Sequence, residues 1–381
     1  MANKVLIFTK RVLPLSNTFV AAQGNNLPNF QPIYIGLRSD KSGIDLIDGQ
    51  STCVQEQYEA LPVISRLMLD GMQHLTPAWK TALTDLSANL IHAHFGKGGY
   101  YCSPIAEKLN LPLITTFHGS DITQRDKFSY NKKHRNKVFQ KSSKIIAVSK
   151  FIENKLLKAG CPPEKIIQHY NGIDTQYFSS VGQKSEHPTI LFVGRLIEQK
   201  GCQYLIQAMK IVQAQLPEAE LIIAGDGKYQ QKLVISSADF RNITFLGAQN
   251  RTQVKALMSS AWLTCLPSIK MDRGNEEGMS TVCMESQAMG TPVVGFDTGG
   301  VSEAVEHGVT GLLSPEKNIE QLAKNLLTLL KSNPLRTSFS SAGVERTNRL
   351  FNINRQCQIL ESIYQEPVSY THLTLPTIYS V

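Results

Sequence analysis

The chain has 381 residues, which is enough for two domains with separate cores. Apolar residues make up 42% and charged residues 18% of it, a balance that excludes a disordered chain and fits a globular protein. The apolar run near the N-terminus is too short for a signal peptide, and no window reaches the roughly 18 apolar residues of a membrane span. We therefore expect a cytoplasmic protein.

The net charge of +8 is concentrated in the first half of the chain. Residues 1–186 hold 22 Lys and Arg against 14 Asp and Glu, whereas residues 187–381 hold 17 of each. Eight of these cations lie between Arg125 and Lys144, against the single acid Asp126. A solvated helix face explains such a cluster as well as contact with an anionic membrane or a phosphate-bearing ligand does. Nucleic acid is the weakest reading, because no nucleic-acid-binding module surrounds the cluster.

The cysteines argue against disulfides. There are seven, an odd number, and none forms a Cys-x-x-Cys pair. Most stand among apolar residues, so we expect buried free thiols in a reducing compartment. Their positions are Cys53, Cys102, Cys161, Cys202, Cys265, Cys283 and Cys357.

The first half alternates strands with helices. A helix is expected to begin at Ser16, with Ser16 as its cap, and another runs from about Tyr101 to Asn110 after a Gly-Lys-Gly-Gly loop. This alternation predicts a parallel, doubly wound sheet with its site at the carboxyl ends of the strands. The predicted strands are Lys4–Lys10, Gln31–Leu37, Leu90–Gly96, Leu111–Gly119, Ser143–Ser149 and Lys165–Asp174.

A second alternation follows a polar segment without periodicity. Its predicted strands are 189–194, 220–225, 243–246 and 262–266, and its helices are 202–215, 228–237, 251–260, 318–332, 334–350 and 353–365. The sequence thus predicts an α/β protein of two Rossmann-like domains, residues 1–178 and 189–350, joined by a linker at 179–188. Residues 351–366 are expected to form a helix that packs back on the first domain. Residues 367–381 match no helix and resemble translated vector sequence, so they are excluded from fold reasoning.

The stretch from Ser268 to Gly300 combines an acidic loop, a helix and a buried strand. The helix is expected over Met279–Met289, ended by Gly290 and Pro292, and a strand over Thr291–Phe296. Unpaired N–H groups at the start of such a helix, from Gly278 to Thr281, favour an anion such as phosphate. Glu277 and Glu285 flank this feature and can accept hydrogen bonds from hydroxyls. Phosphates and hydroxyls together describe a nucleotide sugar, although Glu-x7-Glu spacing alone carries little weight.

Three histidines lie in two of the predicted strands of the first half. His118 lies at the carboxyl end of its strand in Thr-Phe-His-Gly-Ser-Asp, where ligands bind in this class of sheet, which favours a functional over a purely structural role. Asp121 could orient His118 or cap the next helix, and the sequence does not choose between these. His92 and His94 alternate on one strand face, but no third ligand is evident, so we predict no zinc site.

The segment Val-Gly-Arg-Leu-Ile-Glu-Gln-Lys-Gly ends the first strand of the second half. Arg195 and Lys200 would place two cations where they can neutralise a diphosphate, although two surface cations beside a turn are the simpler alternative. Gly225-Asp226-Gly227 reads as a tight turn that shapes a pocket rather than as a reactive group. Neither this turn nor Gly96-Lys97-Gly98-Gly99 is a Gly-x-Gly-x-x-Gly, which argues against a dinucleotide oxidoreductase.

Taken together, the motifs resemble those of retaining glycosyltransferases of family 4, whose fold is called GT-B. The resemblance covers about residues 4–365, and the combination His-Ala-His-Phe-Gly with Ser16-Asn17-Thr18-Phe19 is similar to enzymes of bacterial exopolysaccharide, capsule and colanic-acid-type assembly. Those enzymes commonly have Glu where this chain has Asn17. The motifs in chain order are H-A-H-F-G, T-F-H-G-S-D, V-S-K-F-I, N-G-I-D, V-G-R-L…K-G, A-G-D-G, E-G-M-S-T-V-C-M-E, G-T-P-V-V and T-G-L-L.

The resemblance implies transfer of a hexosyl group from a UDP- or GDP-sugar to a lipid-linked or growing saccharide, with the anomeric configuration retained and without a metal or other cofactor. It also implies two domains facing across a cleft. With a lipid-linked acceptor, the charge asymmetry favours docking of the basic stretch Arg125 to Lys144 on the anionic inner face of the membrane. The implied catalytic residues are His118, Glu277, Arg195 and Lys200. The implied donor-binding residues are Gly194, Arg195, Lys200, Gly225, Asp226, Glu277, Gly278, Met279, Ser280, Thr281 and Glu285, and those on the acceptor side are Ser16, Thr18, Gly98 and Asp121.

Two other functions fit the same fold. A non-hydrolysing nucleotide-sugar epimerase would interconvert sugars without an acceptor. A binding or scaffolding protein on an inactive transferase fold is the alternative from another class, and the presence of all the implied catalytic residues argues against it.

Overall fold

The first strands of both halves are apolar runs whose faces are both covered, as expected for parallel sheets. We describe a computed structural model that covers residues 3–12, 14, 17–47, 49–126, 130–179 and 182–373. Contacts divide the chain into unit 1, residues 1–172 with 353–381, and unit 2, residues 173–352. Among the described residues, no helix combines the length and apolar character needed to cross a bilayer.

Unit 1 is built on a seven-stranded parallel sheet. Its strand order is β5-β3-β1-β6-β7-β8-β9, and β2 and β4 form a separate parallel pair in which Arg11 lies opposite Arg38. The strands are β1 (Asn3–Phe8), β2 (Arg11–Val12), β3 (Phe30–Gly36), β4 (Arg38–Ser39), β5 (Thr52–Val54), β6 (Leu90–His94), β7 (Leu113–Phe117), β8 (Lys144–Ala147) and β9 (Ile166–Gln168).

The helices of unit 1 cover this sheet. They include five that were not among the predicted elements, two in the segment before Leu90 and three between residues 120 and 158. They are α1 (Thr18–Asn25), α2 (Pro62–Leu67), α3 (Pro77–Asp85), α4 (Gly96–Leu109), α5 (Ser120–Thr123), α6 (Lys132–Lys141), α7 (Lys150–Lys158) and, from the end of the chain, α15 (Ile353–Leu373). Short 3-10 helices lie at Lys41–Ile47, Gln55–Gln57 and Pro163–Lys165, and a π-helical turn lies at Met68–Met72.

Helix α4 corrects the prediction of a glycine loop. It begins at Gly96, so Gly-Lys-Gly-Gly forms its first turn rather than a loop. A Cβ at Gly99 would collide with Thr115 and Val138, which lie on β7 and α6. The glycines therefore let the helix approach the sheet closely. Three glycines in four residues show no apolar periodicity, so the sequence pattern did not reveal that a helix begins there.

Unit 2 has a six-stranded parallel sheet of order β12-β11-β10-β13-β14-β15. Its strands are β10 (Thr189–Val193), β11 (Glu220–Ala224), β12 (Ile243–Gly247), β13 (Leu263–Leu266), β14 (Val293–Phe296) and β15 (Gly311–Ser314). Its helices are α8 (Cys202–Gln215), α9 (Gln230–Ser236), α10 (Arg251–Ser260), α11 (Thr281–Ala288), α12 (Val301–Ala304), α13 (Ile319–Lys331) and α14 (Asn333–Leu350), with a 3-10 turn at Glu198–Lys200. The α/β class with parallel sheets is confirmed in both units.

Helix α15 belongs to the core of unit 1, although it lies at the end of the chain. Tyr364 is fully buried, and its hydroxyl lies 2.7 Å from Nδ1 of His92. Glu361 accepts hydrogen bonds from the backbone N–H groups of Asn29 (2.7 Å) and Phe30 (2.9 Å), so it fixes the entry to β3. The last helix is thus part of the packing around the first strands.

Two boundaries differ from the predictions. Helix α15 continues through Pro367 to Leu373, because a proline inside a helix removes one hydrogen bond without preventing the next turn, so the prediction that 367–373 matches no helix is wrong. Helix α1 begins at Thr18, and its N-cap residue Asn17 makes no side-chain cap bond. Ser16, the predicted cap, and residues 374–381 lie outside the described residues.

All seven cysteines are free and buried, as predicted. Burial raises the pKa of Cys265 and of Cys102 well above the ordinary thiol value. Buried neutral thiols of this kind pack as small apolar side chains.

Candidate functional site

The carboxyl ends of three neighbouring strands in unit 2 carry glycines. Gly194 follows β10, Gly225 follows β11, and Gly247 ends β12. Backbone bonds join them in a row: the N–H of Gly225 donates to the carbonyl of Gly247 at 2.8 Å, and that of Gly194 to Ala224 at 3.0 Å. Gly225 has a φ of 151°, and a Cβ there would collide with the carbonyl of Gly194. This edge of the sheet therefore presents backbone rather than side chains, as a flat ligand such as a nucleotide requires.

Lys200 is positioned by a tight turn. It ends the 3-10 turn that follows the Arg195 loop, and Gly201 then takes a φ of 70° at the start of α8. A side chain at Gly201 would collide with the carbonyl of Pro267, so only glycine fits between β13 and the helix. Lys200 Nζ reaches Oε2 of Glu277 at 2.6 Å, and both side chains keep less than a fifth of their surface exposed. The structure thus brings together two predicted site residues that are 77 positions apart.

The loop that carries Glu277 is anchored on both sides. The N–H of Gly300 donates to the carbonyl of Glu277 at 2.8 Å, and the hydroxyl of Thr298 donates to the carbonyl of Ser268 at 2.8 Å. Asn275 donates to Oε1 of Gln199 at 2.7 Å. These bonds hold the acidic loop against the turn that carries Lys200, so the ion pair sits in a fixed frame.

The start of α11 lies directly after this loop. Ser280 is the N-cap residue, and its side chain accepts the N–H of Cys283 at 3.3 Å. The sequence predicted free amides from Gly278 to Thr281. Gly278 has a partner within the protein and is therefore not counted among them. The N–H groups of Met279, Ser280 and Thr281 have no acceptor among the described residues. Three donors and a helix dipole therefore remain available for an anion.

Glu285 lies one turn inside α11 and is half-buried. Burial raises its pKa to about 7, and the nearby cation Arg251 opposes that rise. No ion pair to Glu285 occurs within the part of the chain that the structure describes. A carboxyl group that is near half-protonated at neutral pH is suited to bind a ligand hydroxyl rather than to stabilise the fold.

Arg195 and Asp226 complete the predicted donor set. The Arg195 side chain is exposed, and it forms no ion pair with any described carboxylate. The carbonyl of Asp226 accepts the N–H of Leu196 at 2.7 Å, which ties the turn after β11 to the loop after β10. Arg195 therefore offers an unpaired cation beside the glycine row, whereas Asp226 contributes through its backbone.

Unit 1 gathers histidines at the ends of β6 and β7. Nδ1 of His94 lies 3.0 Å from Nε2 of His118, with their rings stacked at 5.2 Å between centroids. Phe19 and Phe95 flank the His118 ring at 4.7 Å and 4.6 Å. His92 is held on both sides, by Tyr364 and by the hydroxyl of Thr116 at 2.7 Å.

These rings are uncharged at neutral pH. Burial, with a smaller contribution from His92, lowers the pKa of His118 to about 3, and burial lowers the pKa values of His92 and His94 well below the usual range. Nδ1 of His118 and Nε2 of His94 are buried without a partner in the protein. Each can therefore exchange a hydrogen bond with a ligand without carrying charge.

Asp121 acts on the backbone and not on the His118 ring. Its carboxylate accepts the N–H of Gly96 at 2.9 Å, of Gly119 at 2.8 Å and of His118 at 3.2 Å. The sequence left open whether Asp121 orients His118 or caps the next helix. Asp121 lies inside that helix, α5, which has no side-chain cap bond, and it contacts His118 through the backbone N–H. Asp121 fixes the turn after β7 and the start of α4, which positions His118 indirectly.

The other predicted acceptor-side residues, Thr18, Gly98 and Ser16, lie in different surroundings. Thr18 is exposed at the start of α1. Gly98 is buried in α4, where an added Cβ would make ordinary contacts with Phe8 and Ala93. Ser16 lies outside the described residues. Within the described chain, no three His, Cys, Asp or Glu residues gather as metal ligands do.

Several contributors were missed from the sequence. His94 was considered only as a metal ligand, yet it contacts His118. Tyr364 is 272 residues from His92, so no spacing rule could connect them. Gly247 could have been found from the Leu-Gly-Ala turn that ends its strand, by analogy with the glycines after β10 and β11.

Comparison with known proteins gives consistent results. Residues 174–346 match the family model described as glycosyl transferases group 1, and residues 53–177 match that of glycosyltransferase family 4. The amylovoran biosynthesis glycosyltransferase AmsK of Erwinia amylovora is 32% identical over 250 residues, which cover 64% of this chain and 61% of AmsK. WcaL of Salmonella typhimurium, assigned provisionally to colanic acid biosynthesis, is 31% identical over 63% of this chain and 61% of its own length. The chain thus spans about three-fifths of the length of these relatives.

Solved structures agree on the fold. HepE from Anabaena, in a crystal structure in complex with UDP, superposes with a TM-score of 0.77 at 17% identity, covering 96% of this chain and 100% of HepE. At that identity the likeness establishes the fold alone. With the two family matches and the two parallel-sheet units, it shows that the chain belongs to the glycosyltransferases of group 1 and family 4, which have the GT-B fold.

Proposed function

We propose that this protein is a retaining glycosyltransferase that moves a hexosyl group from a UDP- or GDP-sugar to a lipid-linked or growing saccharide in cell-surface polysaccharide synthesis. The observation that carries the proposal is the Lys200–Glu277 pair, 2.6 Å long, in front of α11 and beside the glycine row. It combines a cation for phosphate, a carboxylate for hydroxyls and open backbone for a base. Relatives named for amylovoran and colanic acid biosynthesis support the polysaccharide assignment.

The donor would bind to unit 2. Arg195, Lys200 and the amides of Met279 to Thr281 would hold the diphosphate, Glu277 the sugar hydroxyls and Glu285 the ribose. Complexes of HepE with UDP and with UDP-glucose support a uridine nucleotide as the first donor to test.

Chemistry would proceed by attack on the same face that the diphosphate leaves. The bond from C1 to the phosphate oxygen breaks, a bond from the acceptor oxygen to C1 forms, and the acceptor proton passes to the departing diphosphate. Arg195 and Lys200 would stabilise the charge that develops on that diphosphate. His118, neutral and with Nδ1 unpartnered, would supply a hydrogen-bonding group to the donor sugar.

We also propose that the reaction needs no divalent metal, because cationic side chains and helix amides take the place of the ion. The sequence contains no Asp-x-Asp motif, which supports this. Activity that is unchanged by EDTA is the expected result. Loss of activity in EDTA with recovery in Mg²⁺ or Mn²⁺ would contradict it.

Peripheral contact with an anionic membrane is the remaining part of the proposal. Among the cations of 125–144, Arg135 is paired with Asp126, Lys141 with Glu107 at 3.0 Å and Lys144 with Glu366 at 2.6 Å. The exposed remainder, Arg125, Lys132 and Lys133, can still attract an anionic surface at long range.

A panel of UDP- and GDP-sugars, screened by thermal shift and then by release of the nucleoside diphosphate with saccharide acceptors, tests the function. A raised melting temperature with one donor and acceptor-dependent release supports it, and NMR of the product gives the anomeric configuration. Interconversion of the sugar nucleotide without acceptor would identify an epimerase instead. Binding without any turnover would identify a scaffold.

A further inference from the structure

Helix α2 has an inverted distribution of polarity. Five large apolar side chains on or beside it are between 50% and 74% exposed, whereas the polar residue Ser65 is buried. The hydroxyl of Ser65 donates to Oε2 of Glu59 at 2.9 Å, and Thr76 binds the other oxygen of that carboxylate. The helix is therefore fixed with its apolar face outward, which marks an interaction surface rather than a water-facing helix. The exposed residues are Leu61, Val63, Ile64, Leu67 and Met72.

A cavity of about 480 Å³ opens beside this helix, where β1 and β3 end. Val63 and Leu67 line it on the helix side, so the apolar face continues into the opening. Phe95 lines it as well, and the same ring contacts His118. The ring of Phe95 therefore lies between the cavity and His118.

Four cations and one carboxylate, Asp70, also line the cavity, so its lining has an excess of positive charge. Lys10, Arg11, Arg38 and Arg66 line it. Arg11 and Arg38 are directly paired residues of the β2–β4 ladder, and the N–H of Leu37 donates to the carbonyl of Lys10 at 3.2 Å to hold that ladder in register. Like charges opposite one another destabilise a strand pair, so an anion between them would relieve a cost already present in the fold.

The lining acid Asp70 and the nearby Glu56 already have partners. Asp70 pairs with Lys97 at 3.5 Å, and Oε1 of Glu56 accepts the N–H of Ser39 at 2.6 Å. No carboxylate among the described residues lies within ion-pair distance of any of the four lining cations. Burial and repulsion from Lys97 lower the pKa of Lys10, and attraction to Asp70 partly opposes that change.

We propose that this cavity binds the phosphate of a membrane lipid that carries the acceptor saccharide, with the apolar face of α2 inserted in the same leaflet. The inference rests on the proposed function for the identity of the acceptor. A cationic recess alone would suit any soluble phosphate ester. Val63 and Leu67 at the edge of the cavity favour a phosphate that carries a hydrocarbon chain, because these apolar side chains can contact that chain. Helix α6 offers cations without such an apolar face, so it is the weaker docking surface.

Flotation of the full chain with vesicles tests the docking surface. The vesicles are phosphatidylcholine alone, or phosphatidylcholine with phosphatidic acid as the phosphate-bearing lipid. We expect binding to the mixed vesicles and a loss of roughly tenfold in the double variant Val63→Ser/Leu67→Ser, because apolar insertion is removed. Ile235→Ser is the matched control, since Ile235 is equally exposed (69%) on α9 of unit 2, and it should bind as the unmodified protein does. Equal binding by the double variant would overturn the assignment of α2.

A second variant and a competitor test the cavity. Arg38→Gln/Arg66→Gln should reduce the preference for phosphatidic acid over neutral vesicles, whereas Lys132→Gln/Lys133→Gln on α6 should lower that preference much less. Glycerol 1-phosphate should displace the protein from vesicles only weakly. Displacement by this soluble ester at the concentration of the lipid would show that the cavity takes free phosphate, and the lipid would then be excluded.

Titration of UDP by calorimetry on the same proteins separates the two proposals. Both double variants should keep the UDP affinity of the unmodified protein, because the residues they change lie in unit 1, outside the proposed donor set. UDP binding without flotation would reject the lipid site and leave the proposed function standing. Flotation without binding of any nucleotide would reject the proposed function and leave the lipid-binding surface standing.

Discussion

The polar side chains at the two candidate sites differ in charge: those of unit 1 are neutral, and those of unit 2 form an ion pair. In unit 1, His92 and His94 are buried and His118 is half-buried; the three rings lie in a row and are uncharged. In unit 2, Lys200 and Glu277 are partly exposed and carry opposite charges 2.6 Å apart. One region is kept neutral by burial, and the other keeps its charges by pairing them.

The two regions should therefore respond differently to acid and to substitution. Neutral buried rings resist charging, so acid acts on them through stability. Paired charges beside a helix start respond to an anion, so substitution there should act through ligand affinity and turnover. Four experiments test that contrast.

Removal of the cations of unit 2 should have the largest effect. Arg195→Ala and Lys200→Ala are each expected to reduce turnover on the order of 10²-fold or more, because stabilisation of the leaving diphosphate is lost. Steady-state rates with the donor found in the thermal-shift screen measure this. Lys210→Ala, an exposed cation on the same helix that follows Lys200, is the control. Unchanged rates in both variants would remove these residues from the catalytic set.

Acid should weaken unit 1 first. A histidine whose pKa is lowered in the folded state binds protons more readily when unfolded, so its contribution to stability is complete above about pH 6.5 and is lost as pH falls toward 3. In that window His118 lowers the free energy of unfolding by about 1.4 kcal/mol per pH unit, and His92 and His94 act in the same direction. Hydrogen exchange at pH 7.5 and pH 5 should show faster opening of β6 and β7 than of β10 and β13.

The variant His92→Gln sharpens this test, because one titrating ring is removed while a polar side chain remains. Its stability should depend less steeply on pH between 6.5 and 4. An unchanged slope would mean that the buried rings do not govern the acid response.

Glu285 should show the opposite dependence. Its pKa is raised from 4.5 to about 7, so the folded state binds the proton more tightly, and its cost to stability appears as pH rises from 4.5 to 7. Glu285→Gln is expected to stabilise the protein at pH 7.5 by about 2 kcal/mol and to weaken UDP binding about tenfold. Thermal melts and calorimetry measure the two effects. A variant that binds UDP normally would rule out the ribose contact.

The smallest expected effect comes from Tyr364→Phe. The substitution removes the hydroxyl that lies 2.7 Å from His92 and leaves the ring packing in place. A loss of about 1–2 kcal/mol in the free energy of unfolding is expected, with UDP affinity unchanged. Denaturant titration provides the measurement. A larger effect on UDP binding than on stability would break the separation between the two regions.

The sequence predicted the elements of unit 2 better than those of unit 1. Helices 202–215 and 251–260 agree with α8 and α10 at both ends. For α10 the signal is local, since Asn250 and Gln253 form a capping box across three residues. In unit 1, α2 and α3 were missed because apolar exposed residues and a π-helical turn disturb the periodicity on which prediction relies.

The sequence was sufficient to identify individual candidate residues, but not to predict which of them contact one another. His118, Lys200 and Glu277 were identified from strand ends and motifs. That Lys200 meets Glu277, or that His92 meets Tyr364, depends on how distant segments pack, and no spacing in the sequence encodes it. The role of Asp121 was open for the same reason, because a carboxylate beside a histidine can bind its ring or its backbone.

The order of segments along the chain has a consequence for truncation. Unit 2 is inserted within unit 1, and its two ends meet: Ile173 and Asn352 form a parallel bridge, with the N–H of Ile173 donating to Phe351 at 2.8 Å. A premature stop codon near position 352 would therefore leave the inserted domain whole and remove the partners of His92 and of the Asn29–Phe30 turn. A lesion at the far end of the gene would thus unfold the part of the protein that is translated first, while residues 173–352 should persist as an independently folding fragment.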